Sequence, residues 1–376
     1  MHVVMVVPGG VDRGGEERVI PALLSLIEGL AARHQVTVVA LGQEPVASRY
    51  PLLGATVHNV APEQRGPHRL ARLAGRAVMA AGRDGRPDVI WGMWASVSGL
   101  VAVLAGRRYR VPSAVHVAGG ELVAMADIGY GGGLGRGGRI ISSFTLHRAD
   151  AVTTASHWMA RHVRQHGHRV DQIIPLGVDT DRFVPPPSVR RSTSPFQLVC
   201  LADLNPVKDH ATLLAALDEL RRLRPELRFE LDLIGTDTLH GAVQQRAAER
   251  GLVVRAHGFL PSSQLPALLQ RADLHVMSAR HDAGPVAALE AAACGLATVG
   301  TDVGHLADWA RADPPAALTV PPRRADLLGP AIGEVLSDGA RRSALAAAAR
   351  AFAKRHDRHA TVDAFDELFT RLRRTR

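Results

Sequence analysis

The segment Leu274 to Thr301, LHVMSARHDAGPVAALEAAACGLATVGT, constrains the fold more than any other stretch of this chain. LHVMSA is a short, mostly apolar run bounded by polar residues, as a buried parallel strand is, and LATVGT after Gly295 repeats that character. The residues between them predict a helix. Gly284 fits the N-cap, Pro285 fits the first helical position where a missing N–H costs nothing, and the run ends at Cys294 with Gly295 beyond it.

A helix N-terminus that follows a strand presents unpaired N–H groups and the positive end of a dipole, and so suits an anion such as a diphosphate. Asp282 lies in the loop before the helix and Glu290 about one and a half turns into it, so one carboxylate can face a ligand from the loop and the other from the helix. Carboxylates beside a phosphate site are poor phosphate ligands but good acceptors for sugar and ribose hydroxyls. The pattern resembles the two-acid motif of retaining GT-B glycosyltransferases, especially family 4 (glycosyl transferases group 1), where both positions are usually Glu and this chain has Asp282 in the first. Taken alone, the segment also reads as an ordinary strand-helix-strand crossover with unrelated acids.

A length of 376 residues predicts two domains, each able to bury its own core. Hydrophobic residues at 46% against 22% charged argue against disorder. No apolar run is long enough to span a bilayer, and MHVVMVVPGG lacks a basic n-region and a cleavage site, so it reads as a first strand and the chain as cytoplasmic. Cys200 and Cys294 fall in a predicted strand and a predicted helix and are expected to be reduced core residues. The net charge of +9 implies an anionic partner, whether nucleic acid, membrane surface or nucleotide-sugar, or only a habit of using Arg for Lys. Aromatics at 4% are poor provision for stacking bases, and no zinc-finger or RNA-binding signature is present, so nucleic acid is not expected.

In chain order, HVVMVV, the glycine-bearing PGGVDRGG, a helix EERVIPALLSLIEGLAARH kinked at Pro21, and the strand QVTVVAL form a βαβ unit. Gly9, Gly10, Gly14 and Gly15 do not fit dinucleotide spacing, and Glu44 alone keeps a dinucleotide reading open. From Arg65 to Arg86 the chain predicts a basic amphipathic helix, with Arg69, Arg72 and Arg76 at helical spacing. Its face suits an anionic membrane or is simply solvated. His116, Gly119, Gly120 and Glu121 cluster at the end of a strand, where active-site groups of open α/β sheets collect. Family 4 usually has a His directly before a Gly there, and the matching position is Ala118, so His116 would have to reach the same space from one step earlier. IGYGGGLGRGG is too rich in glycine for helix or strand and is expected to be a mobile loop. Asp179, Thr180 and Asp181 could suggest a metal, but they sit in IPLGVDTDRF, which matches the family's hinge entry, beside the prolines of a linker. His157, His162, His166 and His168 show no ligand geometry in the sequence, and no metal site is expected.

The second half restarts the alternation with FQLVCLADL, the loop NPVKDH and the helix ATLLAALDELRRLR. Lys208 sits at a strand-to-helix turn, where its ammonium can pair with a departing diphosphate. FELDLIG is the next strand, VVRAHGFLPSSQLPALLQRAD gives a strand, a turn and a helix capped by Ser262 or Ser263, and a Gly304 loop follows the opening segment. The last helix places Val362, Phe365, Leu368, Phe369 and Leu372 along one side.

The expected architecture is α/β and, from the resemblance, GT-B: two facing Rossmann-like doubly wound domains. The divisions are residues 1–182 on the acceptor side, a linker at 183–195, a nucleotide-sugar domain at 196–355, and a terminal helix at 356–376 returning to the first domain. The resemblance implies transfer of a glycosyl group from a nucleoside-diphosphate sugar, with retention and without an obligatory metal or other cofactor. The acceptor is a glycan, a lipid-linked glycan or a small molecule, and the enzyme is cytoplasmic or peripheral to the membrane. It implies catalytic roles for Lys208, Asp282 and His116, and donor contacts from Gly14, Gly15, Asn205, Lys208, Phe259, Leu260, Asp282, Ala283, Gly284, Pro285, Val286 and Glu290. Arg18, Gly119, Gly120 and Glu121 would face the acceptor. Family members carry an Arg where this chain has Asp203, an acid that would repel a diphosphate. The missing Arg and His favour one rival, a nucleotide-sugar epimerase; the others are an inactive nucleotide-binding relative and a dinucleotide oxidoreductase, to which the absent GxGxxG is the main objection.

Overall fold

The computed structural model describes residues 1–16, 18–62, 68–187 and 194–375; Arg65 to Pro67 of the basic segment and 188–193 of the expected linker lie outside them. The chain divides into two compact units, Met1–Leu176 with Arg358–Arg376, and Gly177–Asp357.

The first unit is built on β1 (His2–Val7), β2 (Gln35–Leu41), β3 (Ser48–Leu52), β4 (Ala55–Val60), β5 (Val89–Met93), β6 (Ser113–Val117), β7 (Ala151–Thr154) and β8 (Gln172–Ile173), in the order β3-β4-β2-β1-β5-β6-β7-β8. Val3 to Val7 are wholly buried, which is why the strand reads as an unbroken apolar run. Every pairing is parallel except β3 with β4. That hairpin turns on Leu53 and Gly54, both at positive φ as a two-residue primed turn requires.

Helix α1 (Pro21–Ala31) corrects the expected kink: Pro21 opens the helix, where its fixed φ and missing N–H do no harm, and Arg18, Val19 and Ile20 lie outside it. Helix α2 (Arg69–Ala80) buries Ala74, Ala77 and Ala80 and leaves Arg69, Arg72 and Arg76 exposed. Helix α3 (Val97–Tyr109) follows β5. The glycine-rich stretch is not a loop throughout, since it carries two 3₁₀ turns, Ala126–Ile128 and Gly132–Leu134, and opens α4 (Arg136–Arg148). A Cβ on Gly131 would lie 2.0 Å from Val123 O, and one on Gly138 2.1 Å from Gly132 O, so these glycines permit close backbone packing instead of mobility. Helix α5 (His157–Gln165) is capped by Ser156, whose hydroxyl accepts from Met159 N.

The second unit contains β9 (Phe196–Leu201), β10 (Phe229–Ile234), β11 (Val254–Ala256), β12 (Leu274–Met277), β13 (Thr298–Thr301) and β14 (Leu318–Val320), all parallel, in the order β11-β10-β9-β12-β13-β14. Its helices are α6 (His210–Leu223), α7 (Ala242–Glu249), α8 (Leu265–Leu269), α9 (Val286–Ala293), α10 (Gly304–Trp309), α11 (Ala325–Ser337) and α12 (Gly339–Arg355). Leu198, Leu217, Leu231, Val276, Val299 and Ile332 are among the residues of its buried core. Three boundaries differ from expectation. Helix α9 takes Pro285, in extended conformation, as its N-cap and begins at Val286, α8 is preceded by Gln264 and not capped by either serine, and Gly304 opens a helix.

Helix α13 (Arg358–Arg374) belongs to the first unit. It buries Val362, Phe365, Leu368 and Phe369. Gly29 of α1 admits it: a Cβ there would meet Val362 Cγ2 at 2.4 Å.

Candidate donor and acceptor sites

In the second unit the strand order reverses between β9 and β12, so the loops that leave their C-terminal ends diverge and open a crevice. The first of these loops ends in a 3₁₀ turn, Pro206–Lys208, whose cap is Asn205: its Oδ1 accepts from Lys208 N at 3.2 Å. Asp209, at φ +50°, then caps α6 by accepting from Thr212 N and from the Thr212 hydroxyl. The second loop is laced to the first. Ser278 Oγ donates to Lys208 O at 2.9 Å, and Arg280 N donates to Val207 O at 2.8 Å.

These ties bring Lys208 and Asp282 together, with Nζ donating to Oδ2 at 2.6 Å, while Asp282 Oδ1 accepts from Gly284 N at 3.1 Å. Burial disfavours the Lys208 ammonium, yet Asp282 and Asp203 outweigh it and its pKa lies above the ordinary lysine value. For Asp282, burial is likewise outweighed by Lys208 and the Gly284 amide, and its pKa is lowered. Asp203 points one oxygen to the amide of Thr236 at 2.9 Å, but it still acts on Lys208.

Glu290, 7% exposed within α9, has its pKa pushed up to about 8 by burial, with Arg182 partly offsetting the shift. Arg182 was read in the sequence only as part of the hinge phrase. It donates to Ser262 Oγ at 3.1 Å, and Asp179 accepts from the amides of Asp181 and Arg182. Ala283 is buried, and Gly304 packs on the Asp282–Pro285 loop so closely that a Cβ would lie 2.7 Å from Asp282 O. Phe259, 41% exposed, and Leu260 follow Gly258, whose carbonyl accepts from Gly235 N at 2.9 Å. Gly235 in turn lies against Ala202 O, so the 257–260 backbone sits beside the β9 loop.

In the first unit, Gly14 and Gly15 lie in a turn after β1 that is closed by Asp12: Gly15 N donates to Asp12 O and Gly14 N to Asp12 Oδ2. Arg18, at φ +49°, spends its guanidinium on Asp12 Oδ1 and Gln43 O. Gln43, unremarked in the sequence, secures this turn by accepting from Gly10 N at 2.7 Å and Val11 N at 3.2 Å. Glu44 is engaged by Arg13 and Ser48, which lower its pKa to about 2. Its oxygens are committed, which removes the support it lent to a dinucleotide site.

At the end of β6, Glu121 accepts from Ala95 N at 3.1 Å and Gly119 N at 2.9 Å, and burial pushes its pKa up to about 7. Trp94, also unread in the sequence, stands at φ +69° with its indole against Gly119. Gly120 packs under the ring of Tyr130. His116 does not join this cluster. It is 0% exposed, bonds Thr153 through Nδ1, packs against the rings of Trp91 and Phe365, and burial lowers its pKa to about 3. A ring sealed in the core and held neutral cannot touch a substrate, so its expected catalytic role is withdrawn.

Among the described residues, no group of three or more His, Cys, Asp or Glu side chains is placed to hold a metal ion, and no helix is long and apolar enough to cross a membrane.

Two families match the chain in tandem: "Glycosyl transferase 4-like domain" over residues 19–179 and "Glycosyl transferases group 1" over 186–352. A GDP-mannose-dependent alpha-(1-6)-phosphatidylinositol monomannoside mannosyltransferase of Mycolicibacterium smegmatis is 33% identical over 48% of this chain and 50% of its own length. A glycogen synthase of Mycobacterium tuberculosis is 30% identical over 58% of this chain and 53% of its own length. The chain thus spans about half the length of these curated relatives. Sucrose-phosphate synthase from Thermosynechococcus elongatus superposes with a TM-score of 0.84 at 17% identity, covering 100% of both chains. The Anabaena protein HepE, in complex with UDP-glucose, gives 0.75 at 18% identity over 98% of this chain and 99% of its own. At those identities the likeness is one of fold.

Proposed function

Because this chain belongs to the group 1, family 4-type glycosyltransferases of GT-B fold, we propose that it transfers a sugar from a nucleoside-diphosphate sugar to a glycan, lipid-linked glycan or small-molecule acceptor, with retention of configuration and without an obligatory metal. The observation that carries this reading is the convergence of Lys208 Nζ, the Gly284 amide and Asp282 at one strand-order switch point, with Glu290 buried in the helix that follows. When the glycosidic bond to the diphosphate breaks, negative charge develops on the leaving phosphate. A half-buried ammonium and amides at a helix start are suited to stabilise it, because they need not reorganise as the charge forms. Glu290, protonated at neutral pH, both donates to and accepts from ribose hydroxyls; Asp282 accepts from the sugar. The 257–260 backbone borders the base, with Asn205 fixing the lysine turn.

The acceptor is assigned to the first unit, at Arg18 and at Gly119, Gly120 and Glu121. Relatives named for phosphatidylinositol mannosides support a lipid-linked acceptor, and the exposed Arg69, Arg72 and Arg76 of α2 support a peripheral position on an anionic membrane. The two tandem glycosyl transferase matches favour transfer over epimerisation.

The test is a panel of UDP- and GDP-sugars, UDP, GDP and NAD, scored by protection against thermal unfolding and by release of the diphosphate. Protection by at least one nucleoside diphosphate and its sugar is expected, with turnover reduced by about 100-fold in Lys208→Ala. Protection by NAD alone, or full turnover in Lys208→Ala, would overturn the assignment.

A further inference from the structure

Asp282 occupies the two donors that the proposed function gives to a phosphate of the donor. One of its oxygens accepts from Lys208 Nζ at 2.6 Å and the other from Gly284 N at 3.1 Å, so a single carboxylate engages both the ammonium and the loop amide that the proposed function assigns to the diphosphate. The pair is mostly sheltered, with side-chain exposures of 24% for Lys208 and 15% for Asp282, and is therefore weakly screened by solvent. Asp203, near enough to raise the Lys208 pKa, adds a second negative charge to the same neighbourhood.

The geometry points to Asp282 as a competitor built into the phosphate site, which makes the protein discriminate between a nucleoside-diphosphate sugar and the spent nucleoside diphosphate. An incoming diphosphate must take Lys208 from Asp282, and a displaced carboxylate left unpaired in a buried site is costly. A donor repays that cost, because its sugar presents hydroxyls that the displaced carboxylate can accept from. The product has no sugar. The Asp282 oxygen displaced from Lys208 then finds no sugar hydroxyl, and its return to the ammonium expels the diphosphate. The inference rests on the proposed donor site, and it gives one residue two partners in sequence: Lys208 when the site is empty, and the sugar when a donor is bound.

Asp282→Asn separates the charge from the loop geometry, since the amide oxygen can still accept from Gly284 N while the competition for Lys208 is lost. Isothermal titration of the full chain and this variant with pyrophosphate, UDP, GDP, UDP-glucose and GDP-mannose is the experiment. The variant is expected to bind pyrophosphate and the preferred nucleoside diphosphate at least tenfold more tightly than the unaltered protein, while the matching sugar nucleotide gains less. Asp282→Ala, expected to show the same gain, serves where Asn disturbs the loop. Equal or weaker diphosphate binding in both variants, or an equal gain for donor and product, overturns the competitor role and leaves the donor site standing. If the unaltered protein and both variants bind none of these nucleotides, the donor site itself is wrong, and the competitor role falls with it.

Discussion

Glu290 is a carboxyl that the fold has taken out of water, with the Arg182 guanidinium only partly offsetting that burial, and its ionisation is therefore tied to stability. Its folded pKa is about 8 against an ordinary value of 4.5, so the native state holds a proton there that the unfolded chain gives up through the pH range between those values. The unfolded state binds fewer protons across that window, and stability contributed by this group falls as pH rises from about 4.5 to about 8. Glu290→Gln fixes the neutral form. Thermal unfolding should show the variant close to the unaltered protein at pH 5 and increasingly above it up to pH 8.5, with the gap widest at the alkaline end. A gap that stays constant across the range would mean that the carboxyl is solvated in the folded state. The same residue shows what a sequence can and cannot disclose. Its spacing from Asp282 was legible and carried the family resemblance, whereas its protonation is set by burial in the packed fold, partly offset by Arg182, which is remote in the chain and legible only as part of a hinge. His116 marks the opposite case. Its place at a strand end suggested chemistry, but the rings that seal it come from Trp91 and from Phe365 at the far end of the chain.

At the scale of elements, the donor loop is shaped by the start of α10. Gly304 adopts φ +52°, and a Cβ there would lie 2.7 Å from Asp282 O and 2.8 Å from Pro285 Cδ. Gly304→Ala thus combines left-handed backbone strain with overpacking against the loop that carries Asp282, together about 2–4 kcal/mol. Denaturant unfolding should register that loss. Nucleoside-diphosphate affinity should fall by more than tenfold, since the loop can relieve the contact only by moving Asp282 and Gly284. Unaltered stability together with unaltered affinity would show that the loop yields freely. Strands such as β1, β12 and β13 were legible because parallel strands buried on both faces leave an apolar run that needs no partner to be recognised. Helix starts were less legible. Pro21 and Pro285 both stand near a start, yet one is the first helical residue and the other the cap, a difference set by the backbone entering from the previous loop. The β3–β4 hairpin went unread because Leu53 occupies a left-handed position usually given to Gly or Asn. Gly131 and Gly133 signalled flexibility by composition, whereas their use is close packing against Val123, a neighbour no local pattern reveals.

At the scale of the whole molecule, the first unit is completed by the end of the chain. Phe365 of α13 is fully buried, with its ring 5.5 Å from those of both Trp91 and His116, so a residue near the C-terminus closes a core begun by β5 and β6. The same helix is anchored at its edges by Arg33 with Asp363, by Arg373 with Asp88, and by the Thr361 hydroxyl donating to Pro175 O. Removing the ring in Phe365→Ala should cost about 3–5 kcal/mol, because the aromatic burial is lost and the rigid neighbours on two strands cannot collapse into the space. That loss belongs to one unit, since the residues that define the donor site draw their core from Leu198, Val276 and their neighbours. Hydrogen exchange on the full chain should then show protection falling in the peptides of β5, β6 and α1, while those spanning 203–210 and 274–301 keep the rates of the unaltered protein. A bound nucleoside diphosphate should do the converse, slowing exchange around Lys208 and Asp282 and leaving the β5 peptides as they were. If Phe365→Ala loosened the 274–301 segment as much as β5, the two units would unfold as one, and the donor site would depend on a helix that contributes no residue to it.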